Sequence, residues 1–457
     1  MMVYDFLNID KNSKVLLYEQ LYNNVKTAIK NGSIKKGDKL PSVRGLSSDL
    51  SVSRTTVETA YDQLCAEGYL TRRPKRGYFV EAEQPDADPP SEISYTAAQQ
   101  VALPVRYDFS TASIDPGYTD IKFWQRCIKD VLDKPYVITS YGDPQGELAL
   151  RQALCEYSRR VRGVKADPDR IVIGAGTQTL LSVLLGICSD YGFDAAMEKG
   201  FFPQGEQIFR DFRCSITSLS VDKSGIILDD SVRSRILFVN SSGSIRGSSP
   251  IPVNKRLEII RWAQTRDAVI IEDDFNGELR CTSKPVPALQ GMSPSRVVYI
   301  GSFSKLLLPS VRISYMVLPP SLAAIYRERS SNYNQTSSKA EQLALAHYIS
   351  CGRLDRQLRR LRKIYSEKSM IMYDAVKREF PKDTVVEIIE TALCVRIKLK
   401  LAVTLDTVKE KACGEGIRLG KCREKNGLKY FYLSFAGISA EKIPDAVKAL
   451  ADLLLDR

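Results

Sequence analysis

Val297-Val298-Tyr299-Ile300-Gly301-Ser302-Phe303-Ser304-Lys305 begins as a β-branched and aromatic run and ends on two small hydroxyl residues beside one lysine. The run predicts a buried strand. Arg312 follows seven residues after the lysine. An amine at the end of a strand, crowded by Ser302, Ser304 and Arg312, suits attack on the aldehyde carbon of a cofactor held by its phosphate. Pyridoxal phosphate is such a cofactor, with Lys305 forming the Schiff base and the hydroxyls and guanidinium binding the phosphate. An isolated Ser-Xaa-Ser-Lys reads as a surface loop, so the decision rests on whether matching parts stand elsewhere in the chain.

Upstream, helix-like and strand-like runs alternate, which predicts an α/β domain with a mixed sheet flanked by helices. Tyr141-Gly142-Asp143-Pro144-Gln145-Gly146 is a turn-rich loop before a helix over 147–161. Arg170-Ile171-Val172-Ile173 reads as a strand, Gly174-Ala175-Gly176-Thr177-Gln178 as a turn and 180–188 as a helix. Strand, glycine turn and helix start make an anion site, because free backbone N–H groups and the helix dipole point into it. Ala268 to Phe275 reads as a buried strand ending in Glu272, Asp273 and Asp274. A carboxylate there would keep a pyridine nitrogen protonated, although acidic clusters at strand ends are more often solvated. Phe201-Phe202 offers an aromatic face for ring stacking, with core packing the equal alternative.

The chain has 457 residues, 44% hydrophobic and 26% charged, enough for two or three domains with a large core. No apolar run reaches membrane-spanning length and no export signal opens the sequence, so a cytoplasmic protein without membrane contact is expected. Ten cysteines are scattered singly and there is one histidine, His347, in a helix-like stretch. That pattern argues against a metal site and fits single thiols in a reducing compartment. It also leaves His347 as the sole candidate for any Ser-His or Cys-His pair.

The net charge of +12 is unevenly spread. Residues 1–80 hold 13 Lys/Arg against 8 Asp/Glu, whereas 81–105 hold five acids, no Lys or Arg and four prolines. The second stretch reads as an extended solvated linker. It divides a head domain, 1–80, from a large domain, 106–457. In the head, Leu17, Leu21, Val25 and Ile29 recur at helical spacing, 42–50 makes a short second helix, and Ser53 can cap a third. Two short helices with a tight connection suit the major groove of DNA. Ser53, Arg54, Thr55 and Thr56 at the start of the third helix suit phosphates and base edges. Arg44 joins them from the second helix. Tyr69 to Val80 reads as a two-stranded wing whose tip, Arg72, Arg73, Lys75, Arg76 and Gly77, would lie along the backbone.

Leu40-Pro41-Ser42-Xaa-Arg44, Ser53-Arg54-Thr55-Thr56-Val57, Ala60-Tyr61-Xaa-Xaa-Leu64-Xaa-Xaa-Glu67-Gly68 and Gly77-Xaa-Phe79-Val80 resemble the GntR-type winged helix. The remainder resembles fold-type I aminotransferases. Together they resemble the MocR/GabR-type transcription regulators, on 141–146, 176–178, 271–274 with 278–280, 302–305 with Pro309 and Arg312, and 356–360 with Tyr365. The resemblance implies an α/β domain with a smaller C-terminal α+β subdomain, and pyridoxal 5'-phosphate as cofactor. By position, it makes Lys305 the Schiff-base lysine and Asp273 the pyridine-nitrogen partner. Gly176, Thr177, Ser302, Ser304 and Arg312 would hold the phosphate, Phe202 would stack on the ring, and Tyr141 would reach in from the other subunit of a homodimer. Implied partners are a double-stranded DNA operator and a small-molecule effector, the cofactor vitamer itself or an amino compound.

Three departures bear on activity. Phe275 stands where the family has a tyrosine, Gly243 to Ser248 replaces a His-Gln-Xaa-Pro-Thr-Gly segment, and Tyr432 occupies the place of the arginine that binds a substrate carboxylate. Arg423 and Arg246 are candidates to substitute. A regulator with at most weak transamination is therefore expected. The rivals are a working aminotransferase with an appended winged helix and a repressor whose second domain only dimerises.

Overall fold

The computed structural model describes residues 7–455 except 8, 12, 14, 83–103, 111–112, 190–191, 193, 199, 201, 223, 243–249 and 281–285. Most of the expected linker, the departure at Gly243 to Ser248 with Arg246, and Phe201 therefore lie outside the described residues. The chain forms two compact units, Met1–Gln100 and Val101–Arg457.

In the first unit, α1 (Leu17–Lys30), α2 (Val43–Asp49) and α3 (Arg54–Ala66) precede the hairpin β1 (Leu70–Arg73) and β2 (Gly77–Val80). Leu21, Val25 and Ile29 of α1 meet Val57, Ala60, Tyr61 and Leu64 of α3, all buried at the i, i+3 and i+4 spacing that gives a helix one apolar face. Ser42 and Ser53 cap α2 and α3, accepting from Gly45 N at 3.1 Å and Thr56 N at 3.0 Å. The turn between them is made at Ser51, which takes a left-handed φ of 51°. Glu67 accepts from Tyr22 Oη at 2.6 Å and pairs with Lys26 at 2.7 Å, tying the end of α3 to α1.

The second unit is built on a seven-stranded sheet. In chain order its strands are β4 (Ile171–Gly174), β5 (Asp194–Glu198), β6 (Ser215–Leu219), β7 (Ile236–Val239), β8 (Val269–Asp273), β9 (Val297–Ser302) and β10 (Ser314–Val317), with β3 (Tyr107–Asp108) lying outside the sheet. In space they run β4-β10-β9-β8-β7-β5-β6. All neighbours are parallel except β10, which is antiparallel to both β4 and β9. Helices cover both faces, so β4, β7, β8 and β9 open as apolar runs, whereas the edge strand β6 is polar and mostly exposed. A second, antiparallel sheet follows, ordered β11 (Val385–Ile389), β12 (Cys394–Leu399), β15 (Leu428–Ser434), β14 (Cys422–Lys425). One face of it, with Val395, Ile397, Phe431 and Leu433, belongs to the core shared with helices Arg353–Glu379 and Ile443–Leu454. The two-residue strand β13 (Ile417–Arg418) pairs in parallel with β3.

Two boundaries differ from the sequence pattern. The helix expected over 180–188 begins at Thr177 and ends at Ile187. Its first turn is Thr-Gln-Thr, which carries no apolar periodicity, while Gly176 at φ 94° closes the turn directly after the strand. The strand expected over 268–275 ends at Asp273. Asp274 turns inward to a buried arginine, and Asn276 at φ 59° breaks the extended backbone.

Candidate cofactor site and nucleic-acid interface

The carboxyl-terminal ends of β4, β8 and β9 gather most of the sequence-predicted cofactor residues. Ser302, Ser314 and Gly174 form one cross-strand row. Ser302 Oγ lies 3.1 Å from Ser304 Oγ. Gly176 and Arg312 meet: a Cβ on Gly176 would strike the Arg312 guanidinium, so the glycine turn and the arginine wall one cradle. Arg312 itself is exposed and takes a left-handed φ of 53°. Thr177, half-buried, is the first residue of its helix, where N–H groups lack intrahelical acceptors. Ser314 Oγ is buried in the same row and has no hydrogen-bond partner among the described residues. A glycine turn, a helix start, two serines and a guanidinium form a donor set that fits a phosphate.

Lys305 is buried, and its Nζ lies 3.4 Å from the Ser113 carbonyl. Burial lowers its pKa to about 8, with Asp108 opposing. About one amine in ten is then neutral at pH 7, far more than for an ordinary lysine.

The three carboxylates at the end of β8 are not solvated, contrary to the usual fate of such clusters. Their exposures are 0%, 6% and 1% for Glu272, Asp273 and Asp274. Glu272 accepts from Ser241 Oγ, Leu289 N (2.8 Å) and Gln290 N (2.9 Å). Asp274 takes Arg162 Nε at 2.5 Å and Nη2 at 2.9 Å, with Ser242 Oγ and Tyr299 Oη each at 2.7 Å. Of the three, only the Asp273 carboxylate has no hydrogen bond among the described residues, and burial with two carboxylate neighbours pushes its pKa up to about 7. A buried acid with unspent acceptors, one strand from Lys305, fits a protonated ring nitrogen.

The elevated value sets a pH dependence. The folded pKa lies above the unfolded value near 3.8, so the folded chain holds an extra proton between about pH 4 and pH 7. The contribution of Asp273 to stability therefore falls as pH rises through that window and is lowest above pH 7. Asp273→Asn is expected to raise the melting temperature of the cofactor-free protein at pH 8 more than at pH 5, while weakening cofactor binding. Parallel melting profiles of the two proteins across pH would contradict this.

Other expected residues stand apart. Tyr141 is fully exposed at 102% and does not join this cluster. Phe202 caps helix Pro203–Asp211, with its ring stacked on Phe238 at 6.3 Å, so one face is spent on core packing. Phe275 is exposed just beyond β8. Arg423 and Lys421 both donate to the Gly200 carbonyl, at 2.7 and 2.8 Å. Tyr432 lies on β15 directly opposite Arg396 of β12. His347 stacks on Phe123, with its Nε2 3.5 Å from Cys351 Sγ. No group of His, Cys, Asp and Glu among the described residues could hold a metal.

In the first unit, Arg44, Ser53, Arg54 and Thr55 are exposed and Thr56 is half-buried. Ser53 Oγ also lies 2.8 Å from Thr56 Oγ1, so these two hydroxyls are engaged in capping and Arg54 and Thr55 remain the outward donors of α3. Arg72, Arg73, Lys75 and Arg76 are exposed along the hairpin, with Arg73 over the Phe79 ring at 4.7 Å. Lys75 and Gly77 take φ of 61° and 104°, as the tight tip requires. Four cations in so short a turn leave a strongly positive tip suited to phosphate.

Fold and site define a chain with a winged-helix head and a domain of the pyridoxal-phosphate aminotransferase type. Residues 17–80 match the family of bacterial regulatory proteins, gntR family, and residues 120–450 match aminotransferase class I and II. The uncharacterized HTH-type transcriptional regulator YdeL of Bacillus subtilis is 34% identical, over 97% of this chain and 98% of its own length. The probable rhizopine catabolism regulatory protein MocR of Rhizobium meliloti is 29% identical, over 98% and 96%. An archaeal alanine:glyoxylate aminotransferase superposes with a TM-score of 0.70 at 19% identity, over 79% of this chain and 93% of its own, a likeness of fold. The chain belongs to the MocR/GabR-type regulators, HTH-type transcription regulators in which a GntR head is joined to an aminotransferase-like domain. Among the described residues no helix is long and apolar enough to cross a membrane.

Proposed function

We propose that this regulator binds pyridoxal 5'-phosphate at Lys305 and that the occupied domain senses a small molecule, the vitamer itself or an amine, to control a DNA-binding homodimer. The observation that carries the reading is convergence. The Gly176 turn meets the Arg312 guanidinium beside Ser302 and Ser304, with Lys305 and the uncapped Asp273 at neighbouring strand ends. When bound, the cofactor supplies an aldehyde for the lysine amine and an electron-withdrawing ring. The chain's own residues do the rest. Gly176, Thr177, Ser302, Ser304 and Arg312 would neutralise the phosphate, Asp273 would hold a proton on the ring nitrogen, and burial keeps part of Lys305 neutral. Phe202 would stack on the ring and Tyr141 would act from the second subunit.

Tyr432 and Phe275 weigh against efficient amino-acid chemistry. A phenol in place of a guanidinium removes a charge-assisted pair about twice as strong as a neutral hydrogen bond, and Phe275 lacks a hydroxyl for the cofactor's phenolic oxygen. In the first unit, Arg44, Arg54, Thr55 and the wing cations would meet an operator. The test is reconstitution with pyridoxal phosphate. Wild type should gain a band near the visible edge that borohydride fixes onto a Lys305 peptide, and Lys305→Ala should gain neither. Ordinary amino acids should shift the spectrum without steady turnover. A wild-type protein with no band and no modified Lys305 would overturn the cofactor reading. Turnover at the order of 1 to 1,000 per second would make the chain a working aminotransferase.

A further inference from the structure

The second sheet presents one face to the core and one away from it. On the latter, the register sets Glu387, Arg396 and Tyr432 in a single cross-strand row over β11, β12 and β15. Three segments frame this face, and two of them, the loop after Asp273 and the segment after β3, also border the candidate cofactor site. The loop after Asp273 reaches it through Asn276, whose Nδ2 donates to Thr391 O at 2.9 Å. The loop before Phe202 reaches it through Gly200, held by Lys421 and Arg423. The segment after β3 reaches it where Phe109 O accepts from Ser434 N at 2.9 Å, and the same segment presents the Ser113 carbonyl to Lys305. An amine engaged at Lys305 would therefore extend its far end toward this row.

The cations around the row are not equivalent. Arg423 and Lys421 are committed to one backbone carbonyl. Arg280 is locked among buried partners, Ser242 O at 2.8 Å and Glu390 at 3.3 Å, the pair being 5% and 7% exposed. Arg396 is different: its guanidinium pairs with Glu387, whose side chain is 45% exposed, and bonds the Tyr432 hydroxyl. Arg396 is only 16% exposed, but its partner is open to water, and an ion pair screened by solvent on one side contributes little. A guanidinium that already holds one carboxylate in the geometry of a salt bridge can accept another in its place.

We propose that Arg396 reads the acid group of the effector, and that Glu387 is an internal carboxylate which this acid must displace. The inference rests on the reading of Lys305 as the amine-engaging centre. It assigns the effector to amines that carry a carboxylate, and makes Glu387 a competitor that such compounds must displace from Arg396. Tyr432 then orients Arg396 across the strand instead of binding the acid itself.

The test uses full-length protein loaded with pyridoxal phosphate, titrated spectroscopically with matched pairs that differ by a carboxylate: glycine and methylamine, β-alanine and ethylamine, 5-aminopentanoate and butylamine. Glu387→Gln should tighten at least one acid roughly fivefold and leave its amine partner unchanged. Arg396→Gln should erase the difference within each pair, and Arg396→Lys should restore part of it. Acid-to-amine ratios that stay the same in wild type, Glu387→Gln and Arg396→Gln would overturn the proposal while leaving the cofactor reading intact. A wild-type protein without the cofactor band would overturn both.

Discussion

Arg162→Ala is expected to cost the large unit about 3–5 kcal/mol, the usual penalty for orphaning one partner of a buried pair. Arg162 and Asp274 have fully buried side chains, so removing the guanidinium leaves a buried carboxylate without its charge partner. The loss would propagate to the candidate site, because Asp274 neighbours Asp273 and its Tyr299 and Ser242 contacts fix the end of β8. A denaturant midpoint should fall sharply and cofactor affinity with it. Removing both charges together, as Arg162→Met with Asp274→Leu, should cost less than the sum of the single changes. A single-variant cost below about 1 kcal/mol would mean that the pair does not anchor the strand end.

Arg54→Ala should remove specific operator binding and leave the cofactor spectrum untouched. One good base contact discriminates by about 1–3 kcal/mol, and the proposed homodimer would engage two heads, so the expected loss is on the order of a hundredfold or more. Wild-type binding should weaken steeply with salt, with a log–log slope of roughly −0.9 per phosphate contacted. Footprinting should protect two half-sites about one or more helical turns apart. Equal operator affinity in variant and wild type would remove Arg54 from the interface.

The lysine segment was legible because its chemistry is local: strand, hydroxyls, amine and arginine stand within sixteen residues, 297–312. The head was legible for the same reason, since caps, a left-handed turn and a glycine-tipped hairpin leave short-range marks. Arg162 was not legible. It follows Arg159 and Arg160 at the end of an amphipathic helix, and the run reads as a solvated basic turn until Asp274, 112 residues away, is seen to receive it. The acidic trio misleads in the same way, because its caps come from Ser241, Leu289, Gln290 and Arg162, none adjacent in sequence. Ser314 gains its meaning from the antiparallel insertion of β10, and Arg396 from the register of β12 on β15. Pairings of that range depend on tertiary packing, which local periodicity does not encode.

The place of β10 between β4 and β9 also bears on how the protein comes into being. Gly176 is synthesised long before Arg312, and five further strands of the same sheet are made between them. The cradle they form cannot close until β10 returns and inserts beside β4, a long-range pairing whose loop-closure entropy must be met first. Chains arrested before that step would possess the glycine turn and the acidic strand end, yet could not grip a phosphate. A ligand that binds only the finished arrangement pulls the equilibrium toward it. Supply of the cofactor would then govern how much of the newly made chain persists as folded protein, before any effector is met.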